Sequence, residues 1–100
     1  MPSFRVQLEI GALAPGVSPD RVLPGAADAA AELAELEASD LAVVSGAPRA
    51  IVRFAVDEPD LAEQVASHVV ARTAQLAEVR RWSLTRRDGG RWVPANRHPA

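Results

Sequence analysis

The fold is decided by residues 50–76, AIVRFAVDEPDLAEQVASHVVARTAQL, where a strand is followed directly by a helix. In the first seven residues Val52, Phe54 and Val56 lie on one side and alternate with Ile51, Arg53 and Ala55 on the other, the two-residue period of a half-buried strand. After Pro59 the apolar residues instead recur about every 3.6 positions, the period of an amphipathic helix. The stretch therefore predicts a strand of about seven residues and a helix that begins near Pro59.

The flanking sequence supplies the remaining elements. The patterns predict a strand over 3–11, a turn over 19–23, a helix over 25–38, a strand over 40–46 and a strand over 79–87. Gly46-Ala47-Pro48 is a turn signal, so the second and third strands should form an antiparallel hairpin. Asp88-Gly89-Gly90 is a second turn signal, after which residues 91–93 can fold back as a short strand.

The order of these elements, βαββαβ, resembles the ferredoxin-like sandwich. That fold is α+β, with a four-stranded antiparallel sheet and two helices on one face. The first and third strands would be central and the second and fourth would be edges, with a short C-terminal β-hairpin extension. We expect one domain over residues 1–94 and a flexible tail over residues 95–100. Because this fold hosts many unrelated functions, it does not by itself indicate one.

The composition excludes several classes of protein. Of 100 residues, 48% are hydrophobic but many of these are Ala, so the core is small and self-association, as a homodimer, would add burial. There is no Cys, which rules out disulfides and thiolate metal sites, and no residue pattern indicates a metal or a cofactor. No apolar run is long enough for a membrane span and the N-terminus lacks a secretion signal, so we expect a cytoplasmic protein.

Charge is unevenly distributed along the chain, although the net charge is only −2. Four Arg and eleven acids give residues 1–65 a charge of −7, whereas seven Arg and two acids give residues 66–100 a charge of +5. All 11 basic residues are Arg, and several are predicted on the sheet face that no helix covers. The candidate binding residues are Arg5, Glu9, Arg53, Arg81, Arg87, Arg91 and Trp92.

These residues indicate a small non-enzymatic binding, assembly or regulatory module. It would act through the open sheet face and the Arg-rich C-terminal end, because guanidinium groups bind carboxylates and phosphates in bidentate geometry. The expected partner is another protein, a second copy of the chain or an anionic small molecule. In the simplest interpretation Trp92 covers the core and pins the C-terminal hairpin; in the functional one it docks on a partner.

Two alternatives have a different chemistry. Residues 52–62, VRFAVDEPDLA, resemble the junction between the third strand and second helix of an RNA-recognition motif, which implies nucleic-acid binding on the open face. That family stacks bases on outward aromatic residues, whereas the outward positions here include Arg5, Gln7 and Glu9. The other alternative is a dimeric α+β barrel enzyme or small-molecule sensor. His68 is its candidate general base, but no catalytic motif indicates an enzyme.

Overall fold

The structure is a computed structural model that describes residues 1–95. Its strands are β1 (Ser3–Leu13), β2 (Glu35–Val44), β3 (Ala47–Ala55), β4 (Ala77–Asp88) and β5 (Arg91–Pro94), and its helices are α1 (Val22–Leu33) and α2 (Pro59–Ala74). The strands form one sheet in the order β2-β3-β1-β4-β5, with every neighbouring pair antiparallel. The predicted tail, apart from Ala95, lies outside the described residues.

The core lies between one face of this sheet and the two helices. α1 packs against β2 and β3, α2 packs against β4 and β1, and the helices also contact each other. Burial alternates along β1, with Phe4, Val6, Leu8 and Ile10 inside as their spacing predicts. Phe4 also stacks on Phe54 of β3, with ring centroids 5.9 Å apart. The central strands are therefore where the sequence pattern places them.

The predicted limits of α1 are wrong, because the helix covers residues 22–33 rather than 25–38. Pro24 does not interrupt it, since a proline in the first turn lacks only an N–H that has no intrahelical acceptor. Gly25 is where Leu76 packs closest: a Cβ atom at Gly25 would lie 2.5 Å from Leu76 Cδ1. The helix ends when Ala34 becomes extended, and residues 35–38 join β2 because pairing with β3 outweighs their helix propensity.

The hairpin between β2 and β3 is confirmed, but its turn lies one residue earlier than expected. Ser45 and Gly46 are the two turn residues, with φ of 52° and 79°. Positive φ at both positions is the requirement of a two-residue type I′ turn, which matches the twist of the flanking strands. Ala47 and Pro48, predicted as turn residues, consequently begin β3.

Helix α2 buries a stripe at helical spacing, formed by Ala62, Val65, Ala66, Val69 and Thr73. Two residues next to this stripe differ from expectation. Leu61, predicted to face the core, is 44% exposed, and Val70, predicted to point outward, packs partly against the core. Within residues 1–95, no helix is long and apolar enough to cross a bilayer.

The sheet has five strands, one more than the four-stranded sheet that the sequence predicts. β5 pairs with β4 after a tight turn in which Gly89 has a φ of 60°, and β4 is therefore not an edge. Leu84 is buried and Trp82 packs against the core, as predicted. Trp92, in contrast, does not cover the core but lies on the opposite face of the sheet, beside Arg5. The α+β architecture and strand order fit a ferredoxin-like fold extended by one strand.

Candidate functional site

The open face of the sheet, on the side away from both helices, collects charged side chains from the central strands. The register places Arg5 of β1 between Arg53 of β3 and Thr85 of β4. Neither arginine is fully exposed, because each stands in the middle of a paired strand. The Thr85 hydroxyl donates to the backbone carbonyl of Arg5 at 3.3 Å, which ties β4 to β1 at this level. Two cations predicted to share this face are thus neighbours.

Trp92 lies on the same face, although it comes from the edge strand β5. The Arg5 guanidinium carbon is 4.5 Å from the centroid of the Trp92 ring, and those of Arg53 and Arg87 are at 5.4 and 5.6 Å. These distances are within the range of cation–π attraction, which each guanidinium gains from the negative ring face. Arg87 is the strand partner of Trp92, and its Nε donates to the Gly89 carbonyl at 3.1 Å. One indole therefore gathers cations from three strands.

Polar neighbours orient the two central guanidinium groups. Arg53 Nε donates to Glu37 Oε1 at 2.9 Å, with both side chains about one-third exposed. Arg5 donates from Nη2 and Nε to the Gln7 carbonyl oxygen at 3.2 and 3.3 Å, in the amide orientation that satisfies both residues. Arg53 is thus ion-paired and Arg5 has an uncharged partner, so Arg5 contributes the larger uncompensated positive charge.

A shallow depression of about 170 Å³ lies between these groups and strand β2. It is lined by Arg5, Ala38, Ser39, Asp40, Ile51, Arg53 and Trp92. One end presents guanidinium N–H groups, the walls include an indole and an aliphatic side chain, and the other end presents a carboxylate. Such a mixture of apolar surface with a few polar groups is typical of small-ligand sites, although this one is smaller than the ~300 Å³ at which drug-sized sites begin.

Three other predicted binding residues lie elsewhere on the surface and are not among the lining residues. Glu9 is the strand partner of Arg49 and Arg81, and its Oε1 is 3.9 Å from Arg81 Nε. The Arg81 side chain is 78% exposed, so this pair contributes little to stability. Arg91 is exposed and opposite Asp88 beside the β4–β5 turn. The predicted set thus divides into a group around Trp92 and three residues outside it.

His68, the candidate general base, lies in an ion-pair cluster between the helices. Its Nε2 is 2.8 Å from Oε1 of Glu32, and Arg72 Nη2 donates to both oxygens of the same carboxylate at 2.9 and 3.1 Å. Hydrogen bonds from His68 and then from Arg72 lower the pKa of Glu32 below its usual value. This arrangement links α1 to α2. His68 is therefore hydrogen-bonded to Glu32 and does not line the depression on the open face.

Sequence reasoning missed the contribution of β2. Asp40 and Ser39 line the depression, and Glu37 pairs with Arg53, but residues 25–38 were expected to be helical. The dipeptide Ser45-Gly46 is the signal that could have located them. A type I′ turn there fixes the hairpin register and places Asp40 opposite Ile51 on the open face.

The fold and site define a small α+β domain with a basic, aromatic open sheet face. Within residues 1–95, no cluster of three or more His, Asp or Glu side chains is arranged to hold a metal ion. No protein-family model, curated protein or solved structure matches the chain.

Proposed function

We propose that the protein is a non-enzymatic binding module that holds the anionic group of a small molecule or of a partner protein between Arg5 and Arg53. The two guanidinium groups would donate to a carboxylate or phosphate, and Trp92 would cover the apolar part of the ligand. We infer that the domain is a ferredoxin-like sandwich with an added fifth strand. This fold supplies the rigid face but does not select the ligand.

The observation that carries this proposal is the position of three guanidinium groups around one indole. Like charges at these distances repel, and three cations are held together only if other contacts offset the repulsion. The cation–π contacts with Trp92 offset part of the repulsion, and a bound anion would offset more of it. A guanidinium stacked on an aromatic ring keeps its N–H groups in the ring plane free to donate sideways. The site is therefore preorganised for an anion, which lowers the cost of ordering it on binding.

The open face is less suited to the alternative of a dimeric α+β barrel. In such a dimer two open faces pack together, so Arg5, Arg49 and Arg53 would lose water. Within residues 1–95 the Nε of Arg49 is already buried with no hydrogen-bond partner. Burying further unpaired cations is costly, because the desolvation penalty exceeds the attraction unless every charge is compensated.

Nucleic-acid binding receives less support for a related reason. The RNA-recognition motif stacks bases on aromatic residues of its central strands, where this chain has Arg5 and Arg53. Among residues 1–95, Trp92 is the one aromatic ring on this face, and it contacts guanidinium groups rather than being available on both sides. A single base could displace one of them, but successive bases would have no further ring to stack on.

The substitution Arg5→Gln tests the proposal. We expect the wild type to bind 4-methylpentanoate and not the isosteric, uncharged 4-methylpentanamide, with shifts of the Trp92 indole signal in ¹H–¹⁵N NMR. Arg5→Gln should weaken carboxylate binding at least about tenfold, because a hydrogen bond to a charged group contributes about 1.5–3 kcal/mol. Arg21→Gln, at an exposed arginine outside the site, is the matched control and should bind as the wild type does. Equal binding of acid and amide would contradict the proposal.

A second candidate role, assembly, is favoured by the β2 edge. Nine of the ten residues of β2 are exposed, and on its helix-side face Leu41 is 54% and Val43 72% exposed. An edge strand that ends in an exposed apolar segment, here residues 41–44, and has unpaired backbone groups is a template for another strand. We infer a second copy, paired antiparallel about a two-fold axis at Leu41. That register puts Val43 opposite Ser39 and Ala42 opposite Asp40, and no carboxylate faces another.

Replacing Val43 with Lys tests this assembly. We expect the wild type to scatter light as a dimer and Val43→Lys to scatter as a monomer, because a lysine at this edge places a charge in the apolar contact. The stability of the monomer should change by only about 0.5 kcal/mol, since the position is on the surface. Leu61→Lys, an exposed leucine on α2, is the control and should remain dimeric. A wild-type chain that is monomeric at NMR concentrations would contradict the assembly.

A further inference from the structure

The depression on the open face holds charges of both signs. Arg5 and Arg53 contribute two positive charges, and Glu37, the partner of Arg53, offsets one of them. Asp40 contributes a negative charge at the side formed by β2, and Arg87 contributes a further positive charge beside Trp92. A site that holds both signs at separate positions can recognise a ligand that also carries both signs.

Asp40 is suited to receive the positive end of such a ligand. Its Oδ1 accepts the backbone N–H of Leu41 at 2.8 Å, which orients the carboxylate. No ion pair within residues 1–95 involves Asp40, so its charge is not compensated by a cation of the described chain. A carboxylate that lines a depression without a cationic partner favours a ligand that brings an ammonium group.

The spacing of the two ends fits a compact molecule. Asp40 is the strand partner of Ile51, and Arg53 is two residues further along β3. Two residues of a strand span roughly 6–7 Å and neighbouring strands lie about 4.8 Å apart, so the backbones of Asp40 and Arg53 are roughly 8 Å apart. Both side chains line a depression of about 170 Å³, which holds only a small molecule. A carboxylate and an ammonium on one compact molecule fit this space, whereas groups at the two ends of a long chain do not.

The remaining lining is apolar. Ile51 lies between the two charged ends, Ala38 borders them on β2, and the Trp92 ring stands beside the guanidinium groups. The depression of about 170 Å³ is close to the ~150 Å³ of a cavity that accommodates benzene. The ligand is therefore small, with one short aliphatic group to cover Ile51 and Trp92.

We propose that the ligand is a zwitterionic α-amino acid with a small aliphatic side chain, a proposal that rests on the anion-binding function above. Its carboxylate binds the Arg5 and Arg53 guanidinium groups, its ammonium group donates to Asp40, and its side chain contacts Ile51 and Trp92. The wild type distinguishes such a ligand from a simple carboxylate of the same shape because only the zwitterion compensates Asp40.

The test compares three ligands that differ by one group: L-leucine, 4-methylpentanoate without the amine, and 3-methylbutylamine without the carboxylate. By NMR titration at low salt we expect leucine to bind the wild type about fivefold more tightly than 4-methylpentanoate, the upper range for one solvent-accessible ion pair. The amine alone should not bind measurably. Asp40→Asn should remove the preference for leucine and keep carboxylate binding. Asp28→Asn, on an exposed residue of α1, is the control and should retain the preference.

The outcomes separate this proposal from the one on which it rests. If leucine and 4-methylpentanoate bind the wild type equally, or if Asp40→Asn keeps the preference, the amino-acid proposal is wrong and the anion site stands. If neither ligand binds, or if 3-methylbutylamine binds as tightly as leucine, both proposals are wrong.

Discussion

Replacing Phe54 with Ala should destabilise the protein by about 3–5 kcal/mol, the range for a fully buried aromatic residue. Phe54 is completely buried near the end of β3, and its ring stacks on Phe4 of the neighbouring strand. Much of the rest of the core consists of alanine, which cannot move far enough to fill the cavity. The loss is a large part of the roughly 5–15 kcal/mol that stabilises a typical domain.

Urea and thermal unfolding followed by circular dichroism measure this effect. We expect a fall in the melting temperature of roughly 15–30 °C, since each kcal/mol corresponds to about 4–8 °C in a domain of this size. Leu61→Ala is the matched control, because Leu61 is 44% exposed on α2 and should lose about 0.5 kcal/mol. Equal destabilisation by the two substitutions would contradict the placement of the core between the helices and β3.

The central strands could be predicted from the sequence because their side chains alternate without interruption. In β1 and β3 one face is fully buried, and a shift of one residue would turn every apolar side chain to the other face. The same alternation places Arg5 and Arg53 together on the open face. This part of the candidate site therefore follows from local pattern alone.

The boundary between α1 and β2 could not be predicted in the same way. Residues 34–38, AELEA, favour a helix by intrinsic propensity, and only pairing with β3 makes residues 35–38 extended. A bulge between Leu36 and Ala38 then shifts the register and directs Glu37 to Arg53. Because these contacts are made by residues distant in sequence, the position of Glu37 beside Arg53 depends on tertiary structure.

The side of the sheet on which Trp92 lies is likewise not determined by its neighbours in sequence. Both Trp82 and Trp92 stand in short amphipathic stretches, and either could cover the core. The two-residue turn at Gly89-Gly90 makes Trp92 the partner of Arg87, whose side chain is on the open face. Trp82 is instead the partner of Leu8 on the helix side. We therefore expect Trp92 to act in ligand binding and Trp82 to stabilise the core.

Trp92→Ala should abolish most of the ligand binding and leave the fold intact. Removing the ring takes away the cation–π attraction to three guanidinium groups, at about 0.5–1 kcal/mol for each exposed contact. Arg53 would keep its ion pair with Glu37 and Arg5 its hydrogen bonds to Gln7, but the ring that holds the two guanidinium groups together would be gone. We expect binding of 4-methylpentanoate to weaken at least about tenfold, whereas the free energy of unfolding should fall by about 1–2 kcal/mol, because relief of the repulsion offsets part of the lost attraction. Titration calorimetry and urea unfolding measure the two effects.

Trp82→Ala is the matched control and should show the reverse pattern. Because Trp82 packs against the core, its loss should reduce the free energy of unfolding by about 2–4 kcal/mol and leave the affinity of the folded chain unchanged. Trp92→Phe should recover part of the binding, since a smaller ring still attracts cations. Undiminished carboxylate binding by Trp92→Ala would show that the indole does not organise the arginines, and the anion would then have to be held by Arg5 and Arg53 without it.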